Sequence, residues 1–343
     1  MRAVVIHAEK DLRVEQQQAE RPGPGQVLIQ VERGGICGSD LHYFNHGGFG
    51  TVRLREPMIL GHEVAGRIIE LGTSVAGLAT GDLVAVSPSR PCGHCRYCLE
   101  GKTNHCLNMR FYGSAMPFPH IQGAFREQLV ADASQCVIAN GLSAGEAACA
   151  EPLSVCLHAT RQAGEMLGKR VLVTGSGPIG VLTITAARRA GAAEIVATDM
   201  ADFPLEHAKT AGADLTINVG RAADQLAAFS GEKGYFDVAF ECSGAPQALA
   251  SAISVLRPRS TVVQVGMGGD ATIPLQQVTV KELALKGTFR FHEEFAVAVE
   301  LMRKRLIDVR PLITHTMRLE AADTAFRLAT DRSQAMKIQL DFT

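Results

Sequence analysis

The chain has 343 residues, and its 34 lysines and arginines nearly balance 35 aspartates and glutamates, giving a formal net charge of -1. This length predicts two domains, because domains average about 150 residues. The balanced charge disfavours a nucleic-acid partner, which needs a basic surface. No apolar run is long enough for a signal peptide or a membrane span, and the nine cysteines indicate metal ligands and buried thiols rather than disulfides. We therefore expect a cytoplasmic protein without a membrane partner.

Residues 1–142 are rich in glycine and proline and contain short β-branched or alternating runs, the clearest at 27–32, 64–70 and 83–87. Such runs, separated by turn residues, are typical of an irregular β domain. We expect this segment to form the first domain.

Two segments of this domain carry side chains that bind metals. RGGICGSDLH at 33–42 contains Cys37, and GHE at 61–63 contains His62 and Glu63. Thiolate, imidazole and carboxylate are all zinc ligands, and three protein ligands leave a fourth position open for water or substrate. The alternative is a structural role for each, as a buried thiol, a core-edge imidazole and a solvated carboxylate. Asp40 is a candidate acceptor for the His62 imidazole, or else a turn-capping residue.

A cluster of four cysteines follows within fifteen residues, spaced C-x-x-C-x-x-C-x7-C at Cys92, Cys95, Cys98 and Cys106. Four thiolates complete a tetrahedral zinc shell and leave no position for substrate, so this site is predicted to be structural. An iron–sulfur centre is the rival interpretation, but the spacing fits neither common ferredoxin pattern.

Residues 143–288 alternate alanine-rich helical stretches with apolar strands predicted at 171–174, 194–198, 215–218, 236–241, 261–265 and 283–287. This alternation predicts an α/β fold with a doubly wound parallel sheet of six strands. A helix at 293–304 and a closing strand at 337–341 are predicted in the remainder. We expect residues 289–343 to return to the first domain, because the six strands are complete without them.

A glycine-rich loop follows the first of these strands in VLVTGSGPIG at 171–180. Gly175 permits the tight turn, Gly177 lets a pyrophosphate approach the backbone, and Gly180 lets the helix pack on the strand. Pro178 and Ile179 belong to the same turn. The alternative is a glycine turn, with the aspartate that ends the next strand acting as a helix cap.

Asp199 ends that next strand, where a carboxylate accepts a hydrogen bond from a ribose 2′-hydroxyl. It would repel a 2′-phosphate, so we expect NAD rather than NADP. ECSG at 241–244 and VGMGG at 265–269 end later strands, with Cys242, Ser243, Val265, Gly266 and Met267 as further cofactor candidates. Ordinary strand-to-helix turns explain these two segments equally well.

Together these motifs resemble the zinc-containing medium-chain alcohol and polyol dehydrogenases. The resemblance rests on GICGSDLH, PMILGHE, the four-cysteine lobe, AEPLSV at 150–155 and GSGPIG, and it spans nearly the full chain. The combination of GHE with AEPL is similar to the sorbitol dehydrogenase branch. The resemblance implies a GroES-like catalytic domain with a Rossmann domain, two zinc ions per subunit, and a homodimer or homotetramer.

The resemblance also implies roles for individual residues. Cys37, His62 and Glu63 would hold the catalytic zinc, and Glu151 would approach the metal or hydrogen-bond its water. From the residues alone, Glu151 stands where the first domain passes into the second, and it could equally stabilise a helix start. Ser39 and His42 match the family's proton relay, although they could instead be a helix cap and a surface imidazole.

The substrate pocket is expected to draw on Tyr43, Phe111, Ser114, Phe289 and Arg290, although the aromatic residues could equally be packing. A sugar acid differs from a neutral polyol by one carboxylate, for which a bidentate arginine is the natural partner. Arg290, Arg110 and Arg126 are the candidates, in that order. We expect hydride transfer from a secondary hydroxyl of a sugar acid. A neutral polyol or threonine is the alternative substrate, and a non-catalytic NAD-binding protein is disfavoured because all four metal-site residues are present.

Overall fold

The structure, a computed structural model, describes all residues from Met1 to Thr343 and divides into two compact units. Unit 1 comprises Met1–Glu151, Phe295–Asp331 and Lys337–Thr343, and unit 2 comprises Pro152–Glu294 and Arg332–Met336. Residues 143–151, expected in the second domain, lie in unit 1, and the returning segment begins at Phe295 rather than at residue 289. None of the helices combines the length and apolar composition needed to cross a bilayer.

The segment before Ala150 contains many short strands and few helices, as its glycine, proline and β-branched residues favour. Its strands are β1 (Arg2–Ala8), β2 (Asp11–Gln16), β3 (Gln26–Gly35), β4 (Gly48–Phe49), β5 (Val52–Arg53), β6 (Met58–Ile59), β7 (Glu63–Leu71), β8 (Leu83–Val86), β9 (Ser89–Arg90), β10 (Arg110–Phe111), β11 (Gln128–Asp132) and β12 (Cys136–Ile138). Its helices are α1 (Gly38–His46), α2 (Arg96–Leu99) and α3 (Ala144–Ala148).

From Ala150 onward strands and helices alternate. The helices are α4 (Ala150–Ala163), α5 (Pro178–Arg189), α6 (Asp202–Thr210), α7 (Ala223–Ala227), α8 (Pro246–Val255) and α9 (Leu275–Val280). The strands are β13 (Arg170–Thr174), β14 (Glu194–Asp199), β15 (Leu215–Asn218), β16 (Phe236–Glu241), β17 (Leu256–Gln264) and β18 (Ala284–Gly287). The chain ends with α10 (Glu294–Arg303), β19 (Ile313–Arg318), α11 (Ala322–Thr330) and β20 (Lys337–Asp341).

The main sheet of unit 1 has seven strands in the order β12-β8-β7-β3-β20-β19, with β11 also pairing with β3. The closing strand β20 runs antiparallel to β3, with Gln339 opposite Gly35. In the same sheet Gly35 lies opposite Glu63 of β7. A Cβ at Gly35 would stand 2.2 Å from the Glu63 carboxylate, so glycine leaves the room that this carboxylate occupies.

The sheet of unit 2 has six parallel strands in the order β15-β14-β13-β16-β17-β18, which confirms the predicted doubly wound sheet. Alternate residues of its central strands pack on opposite faces, as strand geometry requires. Val171 and Val173 belong to one hydrophobic cluster, whereas Leu172 belongs to the other. β17 begins at Leu256, earlier than predicted, because its pairing with β16 shifts register before Val238.

Candidate active site

The loop between β3 and α1 positions Cys37, which precedes the first residue of α1. The backbone N–H of Cys37 donates to Asp40 Oδ2 at 3.1 Å. This bond ties the thiol to the first turn of the helix. Burial, followed by the nearby Glu63 carboxylate, raises the pKa of the Cys37 thiol to about 12, so without a cation beside it the thiol keeps its proton at neutral pH.

His62 is buried next to Asp40, but the predicted hydrogen bond between them does not form. The distance from His62 Nδ1 to Asp40 Oδ1 is 3.7 Å, which is longer than a hydrogen bond. Asp40 Oδ1 instead accepts from the backbone N–H of Gly61 at 3.1 Å. His62 Nδ1 is thereby left buried without a hydrogen-bond partner. Burial is also the main cause that raises the pKa of Asp40.

Glu63 forms an ion pair that local sequence patterns did not reveal. Lys337 Nζ at the start of β20 donates to Glu63 Oε1 at 2.8 Å and Oε2 at 2.7 Å, and to the carbonyl oxygen of Ile36 at 3.0 Å. Burial opposes the charge on Lys337, but Glu63 and Cys37 raise its pKa nevertheless. The only sequence signal was a lysine at the first position of the closing strand, KIQLD.

Cys37, His62 and Glu63 offer ligand atoms that all lie within 4.8 Å of one another. This thiol, imidazole and carboxylate set fits zinc. Two further observations agree with a cation here: the unpartnered nitrogen of His62 and a thiol that needs a cation to lose its proton. Each Glu63 oxygen has a second lone pair beyond the one facing Lys337, so the carboxylate has capacity for both.

Glu151 at the start of α4 is buried close to this group but is not one of its three members. Burial raises the pKa of its carboxyl to about 8, with His62 lowering it and Glu63 and Cys37 raising it. Glu151 is therefore electrostatically coupled to the three residues.

Four more predicted residues lie in unit 1 around this group. Ser39 and His42 lie on α1, and the ring of His42 stands 5.8 Å from that of Phe49. The ring of Phe111 lies 5.5 Å from the His62 ring. Tyr43 is buried, and its hydroxyl accepts from the backbone N–H of Ala115 at 3.0 Å.

Ser114 is also buried, and its backbone forms two hydrogen bonds with that of Ile121. Its hydroxyl accepts from the backbone N–H of Met116 at 3.3 Å. The hydroxyls of Tyr43 and Ser114 are thus both used in holding neighbouring backbone.

The four predicted lobe cysteines also come together, with their sulfur atoms within 4.8 Å of one another. The backbone N–H of Cys92 donates to Cys106 Sγ at 3.2 Å, and that of Asn108 donates to the same sulfur at 3.4 Å. A hydrogen bond from the backbone of His94 is the main cause that lowers the pKa of Cys92 to about 5. Backbone donors aimed at sulfur stabilise thiolates, so this cluster fits a structural zinc.

In unit 2 the glycine loop joins β13 to α5. A Cβ at Gly180 would stand 1.9 Å from the Gly175 carbonyl oxygen, so glycine is required there for packing. Gly175 has φ of 84°, a left-handed conformation that glycine adopts without strain. A Cβ at Gly177 would meet nothing within 4 Å. Gly177 thus leaves open space in front of the N-terminus of α5, where Pro178 is the first helical residue.

The other predicted cofactor residues follow the carboxyl ends of neighbouring parallel strands, which meet at one edge of the sheet. Asp199 ends β14, Cys242 and Ser243 follow β16, and Val265 to Met267 follow β17. Asp199 Oδ2 accepts from the Ser176 N–H at 2.7 Å, and Oδ1 accepts from the Met200 N–H at 2.7 Å. Phe289 and Arg290 follow β18 at this same edge, and the Arg290 guanidinium lies 4.8 Å from the Phe289 ring centroid.

Glu241 organises this edge and was not singled out from the sequence. It is fully buried, and its carboxylate accepts from the backbone N–H groups of Ser243 at 2.8 Å and Gly244 at 2.9 Å, and from Gln264 Nε2 at 2.6 Å. The Thr174 hydroxyl donates to it at 3.3 Å. One carboxylate therefore links the ends of β13, β16 and β17. A glutamate ending a mostly apolar strand, FDVAFE, was the available signal.

A three-ligand metal group, a closed four-cysteine lobe and a glycine loop on a doubly wound sheet together define a metal-dependent dehydrogenase that uses a dinucleotide. A family model for the alcohol dehydrogenase GroES-like domain matches residues 23–141, and one for zinc-binding dehydrogenase matches residues 178–304. The chain belongs to the zinc-binding medium-chain dehydrogenases. This confirms the resemblance read from the motifs, and with it an NAD(P)-dependent enzyme with two zinc sites.

Individual relatives cover nearly the whole chain. L-idonate 5-dehydrogenase (NAD(P)(+)) of Escherichia coli strain K12 is 43% identical over 340 residues, which is 98% of this chain and 98% of that protein. Sorbitol dehydrogenase of Gallus gallus is 37% identical over 98% of this chain and 95% of its own. The crystal structure of L-idonate 5-dehydrogenase from Escherichia coli K-12 aligns with a TM-score of 0.95, covering 99% of this chain and 97% of that one at 42% identity.

Proposed function

We propose that this enzyme oxidises the C5 hydroxyl of L-idonate to the ketone of 5-ketogluconate and transfers the hydride to NAD. The observation that carries the proposal is the 43% identity over 98% of the chain with an L-idonate 5-dehydrogenase. The alternative is a neutral polyol such as sorbitol or xylitol, favoured by the 37% identity with a sorbitol dehydrogenase. Threonine is a further alternative without a comparable relative among those described above.

We assign metal chemistry to unit 1 and nucleotide binding to unit 2. Cys37, His62 and Glu63 would hold the catalytic zinc, with Glu151 orienting a water beside it. When bound, zinc polarises the substrate hydroxyl and lowers its pKa. The nucleotide would lie along the glycine loop and the strand ends, contacting Gly175, Gly177, Pro178, Ile179, Gly180, Asp199, Cys242, Ser243, Val265, Gly266 and Met267.

Two residues of α1 would move the proton that the reaction releases. Ser39 Oγ accepts the proton of the substrate hydroxyl, and His42 passes it to solvent. The C5–H bond breaks as hydride leaves for the nicotinamide, so one proton and one NADH form for each ketone. The Ser39→Ala variant should lower kcat more than it raises KM, because the hydroxyl acts only as the proton moves.

Asp199 supports the choice of NAD over NADP. Its carboxylate accepts from the backbone of Ser176 and Met200, which holds a negative charge at the end of β14. A 2′-phosphate would be repelled there, whereas a 2′-hydroxyl would donate to the remaining lone pairs. A higher kcat/KM with NADP than with NAD would refute this part of the proposal.

Arg290 is our candidate for the group that receives the substrate carboxylate, with Tyr43, Phe111, Ser114 and Phe289 as the remaining pocket residues. Arg110 and Arg126, the other two candidates, line a different cleft of unit 1, which none of the metal-group residues line. Arg290 follows β18 at the edge of unit 2 where the strand ends meet, which is the edge that we assign to the nucleotide.

A substrate panel tests the proposal. The zinc-loaded enzyme is assayed for NADH formation with L-idonate, sorbitol, xylitol and L-threonine, and the idonate product is identified as 5-ketogluconate. We expect the highest kcat/KM with L-idonate. Activity with xylitol or sorbitol alone would overturn the assignment and leave a polyol dehydrogenase.

The Arg290→Gln variant separates carboxylate recognition from the rest of catalysis. Losing a charge-assisted contact should raise KM for L-idonate about tenfold or more, with little change for any neutral polyol that is turned over. Arg259→Gln is the matched control, because Arg259 is an 84% exposed arginine of the same unit. Equal effects on acid and polyol would exclude Arg290 as the carboxylate partner.

Assembly and location follow from two further features. All four residues of the edge strand β18 are exposed and one side of the strand is unpaired, and such edges are normally covered. We infer a homodimer or homotetramer formed through unit 2, which light scattering would test. None of the nine cysteines forms a disulfide, which supports our proposal of a cytoplasmic location, where thiols stay reduced.

A further inference from the structure

Unit 1 contains a cleft of about 820 Å³ that the dehydrogenase reaction does not use. Its lining includes four arginines, Arg21, Arg90, Arg110 and Arg126, and a single acidic residue, Glu20. None of Cys37, His62, Glu63 or Glu151 lines it. Arginines therefore outnumber acidic residues in the lining of this cleft, although the chain as a whole carries a net charge of -1.

Arg126 is the buried member of this group. Its side chain is 8% exposed, and its single ion pair is a long one, with Nη1 3.3 Å from Glu20 Oε1. Its Nε is buried without a hydrogen-bond partner. A guanidinium carries five N–H donors and never loses its charge, so leaving one this poorly satisfied in the interior is costly. A negatively charged ligand would supply the missing acceptors.

The remaining arginines stand at the exposed rim of the cleft. Arg21 and Arg110 are exposed and form no ion pair with any carboxylate of the chain. Arg90 is neutralised by Asp132, with Nε 2.6 Å from Oδ2. Three guanidinium groups of the lining thus face a single carboxylate, Glu20, which leaves an excess of positive charge for an anion to neutralise.

One polar side chain of the lining keeps a free donor beside the arginines. Gln122 Oε1 already accepts from the backbone N–H of Ile59 at 2.8 Å, which leaves its amide nitrogen as a donor. His120 takes no part, because its Nε2 accepts from the backbone N–H of Arg55 at 2.9 Å and its Nδ1 donates to the carbonyl oxygen of Pro117 at 2.9 Å. Gln122 Nε2 is therefore the neutral donor that this pair leaves for an anion.

We propose that this cleft binds a small multivalent oxyanion, a phosphate ester or a polycarboxylate, at a site separate from that of the oxidised substrate. Planar guanidinium groups bind both oxyanions in bidentate fashion. The volume lies within the usual range of about 300 to 1,000 Å³ for small-molecule sites.

Backbone hydrogen bonds connect this cleft to the metal group. The two residues before Arg126 are hydrogen-bonded to the segment that leads into His62, through Ala124 N–H to the Gly61 carbonyl at 2.8 Å and Phe125 N–H to the Leu60 carbonyl at 2.9 Å. An anion that fixes Arg126 therefore braces the backbone before His62. We expect an anion bound in this cleft to raise the melting temperature of the enzyme and to change kcat, without competing with the oxidised substrate.

The test uses the full-length, zinc-loaded enzyme with saturating NADH, which blocks phosphate from the nucleotide site. Melting temperature and calorimetric affinity are measured with inorganic phosphate and with tricarballylate, against sodium chloride at matched ionic strength. A melting temperature that is higher with either anion than with chloride supports the proposal. The anion with the higher affinity shows whether the site prefers a phosphate group or a polycarboxylate. No stabilisation by either anion overturns it.

Variants locate the effect. Arg126→Gln should lose most of the anion-dependent shift, and the exposed pair Arg21→Gln/Arg110→Gln, which does not disturb the interior, should weaken affinity about tenfold for each arginine removed. Arg310→Gln is the control, because Arg310 is an exposed arginine paired with Asp308. Wild-type affinity in the Arg21/Arg110 double variant, or inhibition competitive with the oxidised substrate, would overturn the proposal of a separate site.

Discussion

Lys337 and Glu63, although 274 residues apart in sequence, form a buried ion pair beside the metal group, with Nζ 2.8 Å and 2.7 Å from the two carboxylate oxygens. The side chains are 3% and 1% exposed. The closing strand β20 brings the lysine there by pairing with β3. The carboxylate that we assign to the zinc is thus oriented by the returning end of the chain.

Replacing Lys337 by methionine should therefore destabilise the enzyme and lower its turnover. Removing one partner of a buried ion pair costs about 3 to 5 kcal/mol, because the other charge stays in the interior. Urea denaturation of the zinc-loaded protein measures the loss. Lys304→Met, which breaks an exposed pair with Glu300, is the control and should change stability little. A Lys337→Met enzyme as stable as the wild type would show that the Lys337–Glu63 ion pair does not stabilise the protein.

The glycine loop allows packing and cofactor contact to be separated. Gly180→Ala should lower the free energy of unfolding by about 1 to 3 kcal/mol, because its Cβ would overlap the Gly175 carbonyl. Gly177→Ala should leave the melting temperature of the NAD-free enzyme unchanged, since its Cβ meets nothing. Its NAD affinity should nevertheless fall about tenfold, a cost of about 1.4 kcal/mol. Unchanged NAD binding in Gly177→Ala would argue against a pyrophosphate at this loop.

Glu241 is expected to control nucleotide binding by holding the strand ends together. The Glu241→Gln variant replaces an acceptor oxygen by an NH₂ group facing the N–H donors of Ser243 or Gly244. We expect a loss of about 2 kcal/mol in stability and a KM for NAD that rises more than the KM for the sugar acid. Glu206→Gln, at an exposed site on α6, is the matched control and should leave both KM values unchanged.

Glu294 predicts an acid-dependent contribution to stability. Burial raises its pKa, but hydrogen bonds from His158 and the backbone of His292 outweigh burial and bring the pKa to about 2, below the ordinary value of 4.5. A carboxylate with a lowered pKa in the folded state stabilises the fold above pH 4.5, and this contribution is lost as pH falls towards 2. The difference in unfolding free energy between wild type and Glu294→Gln should shrink over that window. A constant difference would contradict the assignment.

The alternating strands and helices of unit 2 were predictable from the sequence. The predicted strands at 215–218 and 236–241 coincide with β15 and β16, because each is a short run containing β-branched or aromatic residues and bounded by turn residues. The metal-binding residues were readable for a related reason. A structural zinc site needs four ligands of particular types at short spacing, so the spacing of Cys92 and the three cysteines after it predicted the lobe.

The parts that escaped prediction depend on contacts distant in sequence or on competition between partners. Lys337 reaches Glu63 only through the pairing of β20 with β3. Asp40 was predicted to hold the His62 ring, but the backbone N–H groups of Cys37 and Gly61 occupy its carboxylate instead. Which donor a buried carboxylate selects depends on distances that spacing along the chain does not encode.

The zinc content and turnover of a Cys37→Ala variant test whether Cys37 helps to hold a catalytic zinc. Cys136→Ala is the control, because Cys136 is a thiol outside both metal groups. We expect two zinc ions per chain and full turnover of L-idonate in the Cys136→Ala control. In Cys37→Ala we expect one zinc ion, retained by the lobe, and no measurable NADH formation. Near-normal turnover in Cys37→Ala, or two zinc ions retained there, would contradict a catalytic zinc held by Cys37, His62 and Glu63.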